Sequence, residues 1–372
     1  MANLEPLQRA PLRLMVTGGG TGGHLFPGIA VAEAVLARVE GSEVLFVGTE
    51  RLIDQKALAG RNFQVAAIRA RALKGKGLIG KLRGMAQVPL SVIEALGLIK
   101  GFRPEVVLGV GGYVTGPVVL AARLAGVATA IHEQNSVPGL ANRLLGRVVE
   151  RVLLSIPGSE RFFPAGKCVL SGNPVRQQLL AGAEAAAISP GDTLLVLGGS
   201  QGAHRVNTLV VGALGKAAGA LPPGFRVVHQ TGLQDEEWAR GRYREMGINA
   251  EVGAFFDDMA TLYGQAGLVV SRAGATTLAE MSVFGRAAIL IPYPFAADDH
   301  QATNAQYLVE GGGALMYREN EVDEEGLARD IVALMNDAGR RGDMAQRTRQ
   351  LAQPRATEKI VDALLALAAS ER

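Results

Sequence analysis

Two segments of this sequence, about 180 residues apart, repeat one local pattern: a short apolar run, a glycine-rich loop and the start of a helix. Residues 12–17 lead into the glycines of residues 18–23, and residues 193–197 lead into those of residues 198–202. Short apolar runs bounded by glycine are typical of strands buried in a parallel sheet. The repeat therefore predicts an α/β protein with two Rossmann-like domains that face each other across a cleft.

A glycine and a proline lie close together between the two halves, in the segment Ser-Gly-Asn-Pro-Val-Arg of residues 171–176. This composition favours an interdomain joint, so we expect an N-terminal domain over residues 1–172 and a C-terminal domain over residues 173–354. The last helix, over about residues 355–372, is expected to pack back on the N-terminal domain. Its apolar face contains Ala356, Ile360, Val361, Leu364 and Leu367.

Charge and cysteine content exclude several classes of protein. The formal net charge is only +3, which is too small to indicate a nucleic-acid partner without a local basic cluster. Cys168 is the only cysteine, so no intramolecular disulfide can form and a reducing compartment is expected. The uncharged run of residues 106–122 contains four glycines and Pro117, which argues against a membrane span. With Glu5 and no basic stretch at the start, no signal peptide is expected, and we expect a soluble or peripheral protein.

Polar groups follow two more predicted strands of the first half. Residues 106–110 lead into a second glycine loop, residues 111–116, and residues 128–131 lead into His132-Glu133-Gln134-Asn135. Sheets of this class bind ligands at the carboxyl ends of their strands. These loops are therefore candidates for a ligand site.

Residues 268–304 of the second half read as strand, turn, helix, strand and loop. Gly274 opens the turn, and Thr276 and Thr277 suit a helix N-terminus, where free N–H groups and the helix dipole favour a phosphate. Glu280 shares a helix face with the two threonines, where a carboxylate can accept two hydrogen bonds from a ribose diol. The polar loop of residues 298–304 suits a sugar. Together these features predict a pocket for a nucleotide-diphosphate sugar.

The first glycine loop also fits the dinucleotide-binding pattern, since Gly18, Gly20 and Gly23 match G-x-G-x-x-G. The acidic residue that this pattern needs after the second strand is replaced by Gly48-Thr49, and a histidine, His24, lies in the loop. A dinucleotide site is therefore disfavoured. What remains is an anion site built from backbone N–H groups at a helix N-terminus.

Basic and apolar residues alternate over residues 69–83, and glycines favour a loop there, with a helix resuming over residues 85–100. Leu73, Leu78, Ile79 and Leu82 are the apolar members. Such a mixture suits an anionic membrane surface, and it equally suits a solvated basic loop. Both interpretations stay open at this point.

Seven short motifs in order along the chain resemble those of the MurG family, the bacterial N-acetylglucosaminyltransferases that act on an undecaprenyl-linked muramyl-pentapeptide. They are Gly-Gly-Thr-Gly-Gly-His (19–24), Gly-Gly-Tyr-Val-Thr-Gly-Pro (111–117), His-Glu-Gln-Asn (132–135), Gly-Asn-Pro-Val-Arg (172–176), Gly-Gly-Ser-Gln-Gly (198–202), Phe-Phe-Asp-Asp-Met (255–259) and Arg-Ala-Gly-Ala-Thr-Thr-Leu-Ala-Glu (272–280). The resemblance covers about residues 14–315. It implies a GT-B fold and an inverting transfer that needs no metal and no cofactor.

The resemblance also implies the partners. The donor would be UDP-GlcNAc, and the acceptor would be lipid I, the lipid-linked muramyl-pentapeptide. The enzyme would be located at the cytoplasmic face of the cell membrane. The enzyme would bind the anionic inner-membrane surface peripherally.

Site residues follow from the resemblance by position. Arg176, Ser200 and the turn of Ala275, Thr276 and Thr277 would face the diphosphate. Leu278 and Ala279 would also bind the donor. The Phe256 backbone would bind the uracil, and Glu280 would bind the ribose. Gln301 and Asn304 would bind the sugar hydroxyls. Thr21, Gly22, Gly23 and Asn135 would contact the donor near its reacting carbon, and Gly20 and Tyr113 the acceptor. The catalytic base would be His24 or Glu133, and His24 is equally suited to bind an acceptor phosphate.

Two positions depart from the family pattern. Phe256 replaces a smaller aliphatic residue, which a backbone contact would tolerate, and residues 73–85 contain no aromatic side chain. The acidic pairs at residues 257–258 and 298–299 are not expected to bind a metal, because adjacent side chains diverge.

Three other functions compete with the transferase interpretation. A UDP-sugar epimerase can share the fold and the donor site, but it does not need the basic and apolar loop or the second glycine loop of the first half. A nicotinamide oxidoreductase is disfavoured, because this sequence lacks the acidic residue that the dinucleotide pattern needs after the second strand. A non-catalytic sugar-nucleotide binding protein does not account for polar residues in both halves.

Overall fold

A computed structural model describes residues 10–20, 22–51, 55, 57–69, 78–186, 191–199, 202–217 and 219–370, with the backbone alone for residues 78–87. The chain divides into two compact units. The N-terminal unit comprises Met1–Arg176 and Pro354–Arg372, and the C-terminal unit comprises Gln177–Gln353. Each contains one parallel sheet with helices packed on it.

The N-terminal unit has a seven-stranded sheet with the strand order β3-β2-β1-β4-β5-β6-β7. The strands are β1 (Arg13–Gly18), β2 (Glu43–Gly48), β3 (Gln64–Ala67), β4 (Val106–Gly111), β5 (Ala128–Glu133), β6 (Arg151–Leu154) and β7 (Cys168–Leu170). The helices are α1 (Gly22–Arg38), α2 (Leu78–Phe102), α3 (Thr115–Leu124), α4 (Leu140–Val148) and, from the end of the chain, α13 (Ala356–Ser370). The strand order reverses between β1 and β4, which is where such sheets bind ligands.

Alternation along β1 separates the two faces of this sheet. Leu14 and Val16 pack towards α1 and α13, and Met15 packs towards α2 and α3. The helix α13 lies against α1, and Arg38 forms an ion pair with Asp362 at 3.4 Å. The chain end therefore completes the core of the N-terminal unit.

The C-terminal unit has a six-stranded sheet with the strand order β10-β9-β8-β11-β12-β13. The strands are β8 (Thr193–Leu197), β9 (Arg226–Gln230), β10 (Ala250–Gly253), β11 (Ala266–Ser271), β12 (Ala287–Leu290) and β13 (Ala314–Met316). The helices are α5 (Gln177–Ala185), α6 (His204–Ala217), α7 (Glu236–Glu245), α8 (Met259–Gln265), α9 (Ala275–Phe284), α10 (His300–Glu310), α11 (Glu324–Asn336) and α12 (Ala338–Gln350). Here the order reverses between β8 and β11.

Three local predictions were wrong. The helix α2 begins at Leu78 instead of residue 85, because a helix tolerates its glycines at about 1 kcal/mol each when its other residues are packed. The helix α1 begins at Gly22, so His24 lies in its first turn and not in a loop. The strand β5 extends to Glu133, which places His132 and Glu133 inside the sheet.

Each unit buries one histidine completely. His132 lies 3.1 Å from the Gly172 carbonyl oxygen, and His229 contacts the Tyr243 hydroxyl at 2.9 Å and Asn207 at 3.0 Å. Burial lowers the pKa of His132 from 6.5 to about 4 and the pKa of His229 to about 3. Both imidazoles are therefore neutral in the folded chain down to an acidic pH.

The free energy of unfolding is expected to fall as the pH drops from 6.5 towards 4. In this range the two histidines bind protons in the unfolded chain but stay neutral in the folded chain. Each histidine should remove about 2–3 kcal/mol by pH 4.5, given the pKa values above. Urea denaturation at pH 7 and pH 4.5 measures this loss. His229→Gln should reduce the pH dependence, and an unchanged dependence would show that His229 titrates normally.

Candidate functional site

The carboxyl ends of β8 and β11 bring two predicted phosphate-binding segments together in the C-terminal unit. Ser271 is paired with Leu197 in register, so the loop after β8 and the turn before α9 start side by side. Gly199 has a φ of +83°, which favours glycine at this position. A Cβ atom on Gly198 would lie 2.7 Å from the Ala203 backbone nitrogen. The described ends of the loop are thus closely packed; Ser200 lies outside the described residues.

The helix α9 begins as predicted, directly after Gly274. Gly274 has extended backbone angles and no side-chain cap bonds the first turn. Ala275, Thr276 and Thr277 form that first turn, whose backbone N–H groups have no acceptor inside the helix. Leu278 is buried in the core and Ala279 is half-buried. An anion at this helix end would meet N–H donors and a favourable dipole.

Glu280 follows one turn later and is largely buried, with 8% of its surface exposed. The hydroxyl of Tyr263 donates a hydrogen bond to Glu280 Oε2 at 3.4 Å. Tyr263 is itself fixed, because its ring stacks on Phe284 at 5.4 Å and its carbonyl accepts a hydrogen bond from Arg286. The sequence analysis missed Tyr263, since nothing along the chain links α8 to α9.

Gln301 and Asn304 both lie on α10, but they differ in exposure. The Gln301 side-chain oxygen accepts from the Tyr293 backbone N–H at 2.9 Å. Asn304 is fully buried and donates to the Ala273 carbonyl at 3.2 Å, which anchors the turn before α9. The residues before α10 include Asp298, whose φ of +52° is left-handed. The structure thus places a strained loop next to both predicted sugar contacts.

Phe256 follows β10, and its backbone N–H is already used. It donates to the Gln230 side-chain oxygen at 3.1 Å. If this backbone binds the nucleobase of the donor, the Phe256 carbonyl would accept the hydrogen bond. Gln230, at the end of β9, is a second residue that the sequence analysis missed, because residues 226–230 were interpreted only as a strand.

In the N-terminal unit, the two glycine loops meet at the carboxyl ends of β1 and β4. A Cβ atom on Gly112 would lie 2.3 Å from the Gly19 carbonyl oxygen, so the two backbones touch. The half-buried His24 ring packs against Gly111, where a Cβ atom would lie 2.6 Å from ring carbon Cδ2. His24 and the Gly111 loop therefore form one surface.

Other predicted residues of this unit lie near the same surface. Tyr113 packs beside Gly20, and the Arg51 guanidinium lies 5.5 Å from the Tyr113 ring centroid. Gly22 and Gly23 open α1 beside His24. Thr21 lies outside the described residues. The structure thus brings the described acceptor-side candidates together around β1 and β4.

Glu133, the alternative base, is buried with 2% of its surface exposed. Its Oε1 accepts hydrogen bonds from the Asn135 backbone N–H at 2.9 Å and the Asn135 side chain at 3.2 Å, and its Oε2 accepts from Asn142 at 2.8 Å. Burial raises the pKa of Glu133, although these hydrogen bonds oppose the shift. The geometry makes Glu133 an anchor for the half-buried Asn135.

Arg176 is grouped with the N-terminal unit and not with the other diphosphate candidates. Its guanidinium carbon lies 4.9 Å from the Phe26 ring centroid of α1. The ring quadrupole of Phe26 attracts this cation and so helps to fix the Arg176 side chain.

Two further features are absent from the part of the chain that the structure describes. No group of three or more His, Cys, Asp or Glu side chains is placed there to hold a metal ion. No helix of the described residues has both the length and the apolar character needed to cross a bilayer.

Comparisons with known proteins agree on one family. Residues 14–154 match the glycosyltransferase family 28 N-terminal domain, and residues 193–360 match the glycosyltransferase family 28 C-terminal domain. The UDP-N-acetylglucosamine--N-acetylmuramyl-(pentapeptide) pyrophosphoryl-undecaprenol N-acetylglucosamine transferase of Desulfotalea psychrophila is 48% identical over 94% of this chain and 95% of its own length.

Solved structures extend this agreement to the fold. The crystal structure of Acinetobacter baumannii MurG is similar at 33% identity and a TM-score of 0.78, covering 95% of this chain and 99% of that one. A putative UDP-N-acetylglucosamine 2-epimerase from Listeria monocytogenes has a TM-score of 0.69 over 98% of both chains, but at 12% identity it shows the fold alone. The predicted GT-B fold with two Rossmann-like domains is confirmed. This chain therefore belongs to glycosyltransferase family 28 and, within it, to the MurG family of N-acetylglucosaminyltransferases.

Proposed function

We propose that this chain transfers N-acetylglucosamine from UDP-GlcNAc to the 4-hydroxyl of the muramyl sugar of lipid I, with inversion, and so makes lipid II for peptidoglycan synthesis. The observation that carries the proposal is the 48% identity, over almost the whole chain, to a relative named for this transfer. The geometry agrees, because phosphate-binding and ribose-binding candidates converge at the β8–β11 edge of the C-terminal unit.

The reaction joins the acceptor oxygen to the donor C1 while the bond from C1 to the UDP oxygen breaks. Positive charge develops on the sugar ring, and negative charge develops on the β-phosphate. N–H donors of the α9 N-terminus and of the loop after β8 would stabilise that negative charge. Arg176 would add a full positive charge.

His24 is the proposed base that takes the proton of the acceptor hydroxyl. The support is its half-buried position beside Gly111, in contrast to Glu133, whose two oxygens are buried and occupied by asparagine donors. Glu133 then acts by holding Asn135 near the reacting carbon. The Phe256 carbonyl would accept from the uracil, and Gln301 would bind the sugar through its amide N–H groups.

Incubation of the chain with UDP-GlcNAc and a short-chain lipid I analogue tests the proposal. A disaccharide product that carries the β-linkage is the expected result. Release of UDP without the acceptor, or conversion of UDP-GlcNAc into its 2-epimer, would overturn it and favour the epimerase alternative.

Treatment with a chelator is expected to leave most of the activity, because helix ends and Arg176 would supply the charge that a metal otherwise supplies. Arg176→Ala should lose much of the activity in the same assay. A water-soluble acceptor is needed, since a divalent ion also screens anionic lipid headgroups. Activity that vanishes with chelator and returns with magnesium or manganese would contradict this prediction.

We also propose that the chain binds the anionic inner-membrane surface at the cytoplasmic face of the membrane. The basic and apolar segment of residues 73–85 can be described only as the backbone of the first turns of α2 from Leu78 onward; residues 73–77 and the side chains lie outside the described residues. The support now comes from α3 and α4, which pack together.

Large apolar side chains are exposed on these two helices. They are Leu120, Leu124, Leu140, Leu144 and Val148, which we call the α3–α4 apolar face. Leu140, Leu144 and Val148 recur every four residues and so form one stripe along α4. Arg143 and Arg147 lie between them in sequence. An apolar stripe flanked by arginine suits the headgroup region of an anionic bilayer.

The double variant Leu140→Ser/Leu144→Ser is expected to bind anionic vesicles at least about 100-fold more weakly, since burial of each of the two leucines contributes on the order of 1.5–3 kcal/mol. Sedimentation with vesicles measures this, and binding should weaken as salt rises. Leu233→Ser is the matched control, because Leu233 is 86% exposed but lies in the C-terminal unit. Equal binding of the double variant and the wild type would refute the assignment.

A further inference from the structure

One side chain, Gln230, joins two segments of the C-terminal unit that the proposed function assigns to different parts of the donor. Gln230 ends β9 and is 5% exposed. Its Nε2 donates to the Gly199 carbonyl at 3.3 Å, and its Oε1 accepts from the Phe256 backbone N–H at 3.1 Å. Gly199 belongs to the loop after β8, and Phe256 belongs to the segment after β10.

The end of β9 also supports the described ends of the loop after β8. The Gly198 N–H donates to the Gln230 carbonyl at 3.3 Å. A Cβ atom on Gly202 would lie 2.5 Å from the Thr231 carbonyl oxygen, so the far end of this loop packs on the same backbone. Gln230 and Thr231 therefore support both described ends of the loop.

The segment after β10 is held from the same place. The Thr231 N–H donates to the Gly253 carbonyl at 3.0 Å, and the Gly232 N–H donates to the Ala254 carbonyl at 3.2 Å. These backbone bonds stop two residues short of Phe256. The Gln230 side chain extends the connection to Phe256 itself.

The Gly199 carbonyl oxygen accepts two hydrogen bonds, from the Gly202 backbone N–H at 3.1 Å and from Gln230 Nε2 at 3.3 Å. A carbonyl oxygen turned towards a diphosphate would repel it, so donors that hold the Gly199 oxygen favour anion binding by the loop. A glutamine amide can donate to the Gly199 carbonyl and accept from the Phe256 N–H at once, whereas an ionised carboxylate can only accept.

We propose that Gln230 is a positioning residue for the donor nucleotide, because its single amide orients the diphosphate loop and the base-reading segment together. The inference rests on the proposed donor site, and it assigns no contact between Gln230 and the substrate. The ligand is a nucleoside diphosphate, whose diphosphate would bind the loop after β8 and whose base would bind the segment at Phe256.

Two variants separate the donor and the acceptor of the Gln230 amide. Gln230→Glu keeps an acceptor for the Phe256 N–H but sets a carboxylate against the Gly199 carbonyl. Its affinity for UDP should fall at least about tenfold, roughly the effect of one lost hydrogen bond, while its affinity for uridine stays within about threefold. Gln230→Met removes both the donor and the acceptor and should lower the affinity for both UDP and uridine. Calorimetric titration of UDP and uridine measures these affinities.

Thermal unfolding and the neutral variant provide the controls. Salt screens a charge at this buried position only weakly, whereas Gln230→Met adds no charge, so a loss of UDP affinity in Gln230→Met cannot be charge repulsion. Wild-type affinities in both variants would overturn the inference, as would an equal loss of both ligands in Gln230→Glu together with a lower Tm. Failure of the wild-type chain to bind UDP would instead refute the proposed function.

Discussion

Replacing His24 with alanine is expected to lower kcat for glycosyl transfer about 100- to 10,000-fold, the range that a positioned general base contributes. His24 lies in the first turn of α1, half-buried against Gly111 at the end of β4. The donor candidates of the C-terminal unit do not include it, so the KM for UDP-GlcNAc should stay within about threefold of the wild type, as for a group that acts only in the transition state. Steady-state kinetics with a water-soluble acceptor measures both constants.

The pH dependence of the same variant separates the two roles that the sequence left open for His24. A base must be unprotonated, so the wild-type kcat should fall on the acidic side, and this limb should disappear in His24→Ala. If His24 binds an acceptor phosphate instead, the KM for the acceptor should rise while kcat is nearly unchanged.

Glu133→Gln is the matched comparison, because it removes the other candidate base at nearly constant shape. The amide that this substitution introduces would present an N–H₂ group to Asn135 or Asn142, both of which donate to the Glu133 carboxylate in the wild type. We therefore expect a lower Tm and a smaller loss of kcat than for His24→Ala. A loss as large as that of His24→Ala at unchanged Tm would identify Glu133 as the base.

Strands next to glycine loops could be predicted because the signal is local. The strand β8 has the predicted bounds of residues 193–197, and α9 ends before Gly285, whose φ of +58° marks the left-handed cap. The short outer strands β3 and β13 were not predicted. They are only four and three residues long, and the exposed β3 lacks an apolar pattern.

Contacts between distant segments could not be predicted from the sequence. Gln230 and Tyr263 act on residues 17 to 31 positions away, and no spacing rule connects such positions. Glu133 shows the same limit in another form. Its place at a strand end predicted a ligand site, but the sequence did not indicate that its carboxylate is buried and accepts a hydrogen bond from Asn142. Local patterns therefore locate the edge of the sheet, and long-range packing decides which polar groups there are available to react.

Glu280→Ala is expected to raise the KM for UDP-GlcNAc about 30- to 150-fold, because a hydrogen-bonded contact to a charged group is worth about 2–3 kcal/mol. The carboxylate is held one turn behind the α9 N-terminus, and Tyr263 fixes one of its oxygens. Tyr263→Phe is the control, since it keeps Glu280 and removes only that hydrogen bond, so its KM should rise only a few-fold.

The ribose contact has its own readout. The wild type should bind UDP more tightly than 2′-deoxy-UDP, because removal of one hydroxyl leaves Glu280 with half of its diol contact. Glu280→Ala should bind the two nucleotides equally, since the group that distinguishes them is gone. A KM that stays constant while kcat falls, or a preference for UDP that survives the substitution, would show that Glu280 serves another purpose. In that case its hydrogen bond with Tyr263 would be explained by the packing of α8 on α9 alone.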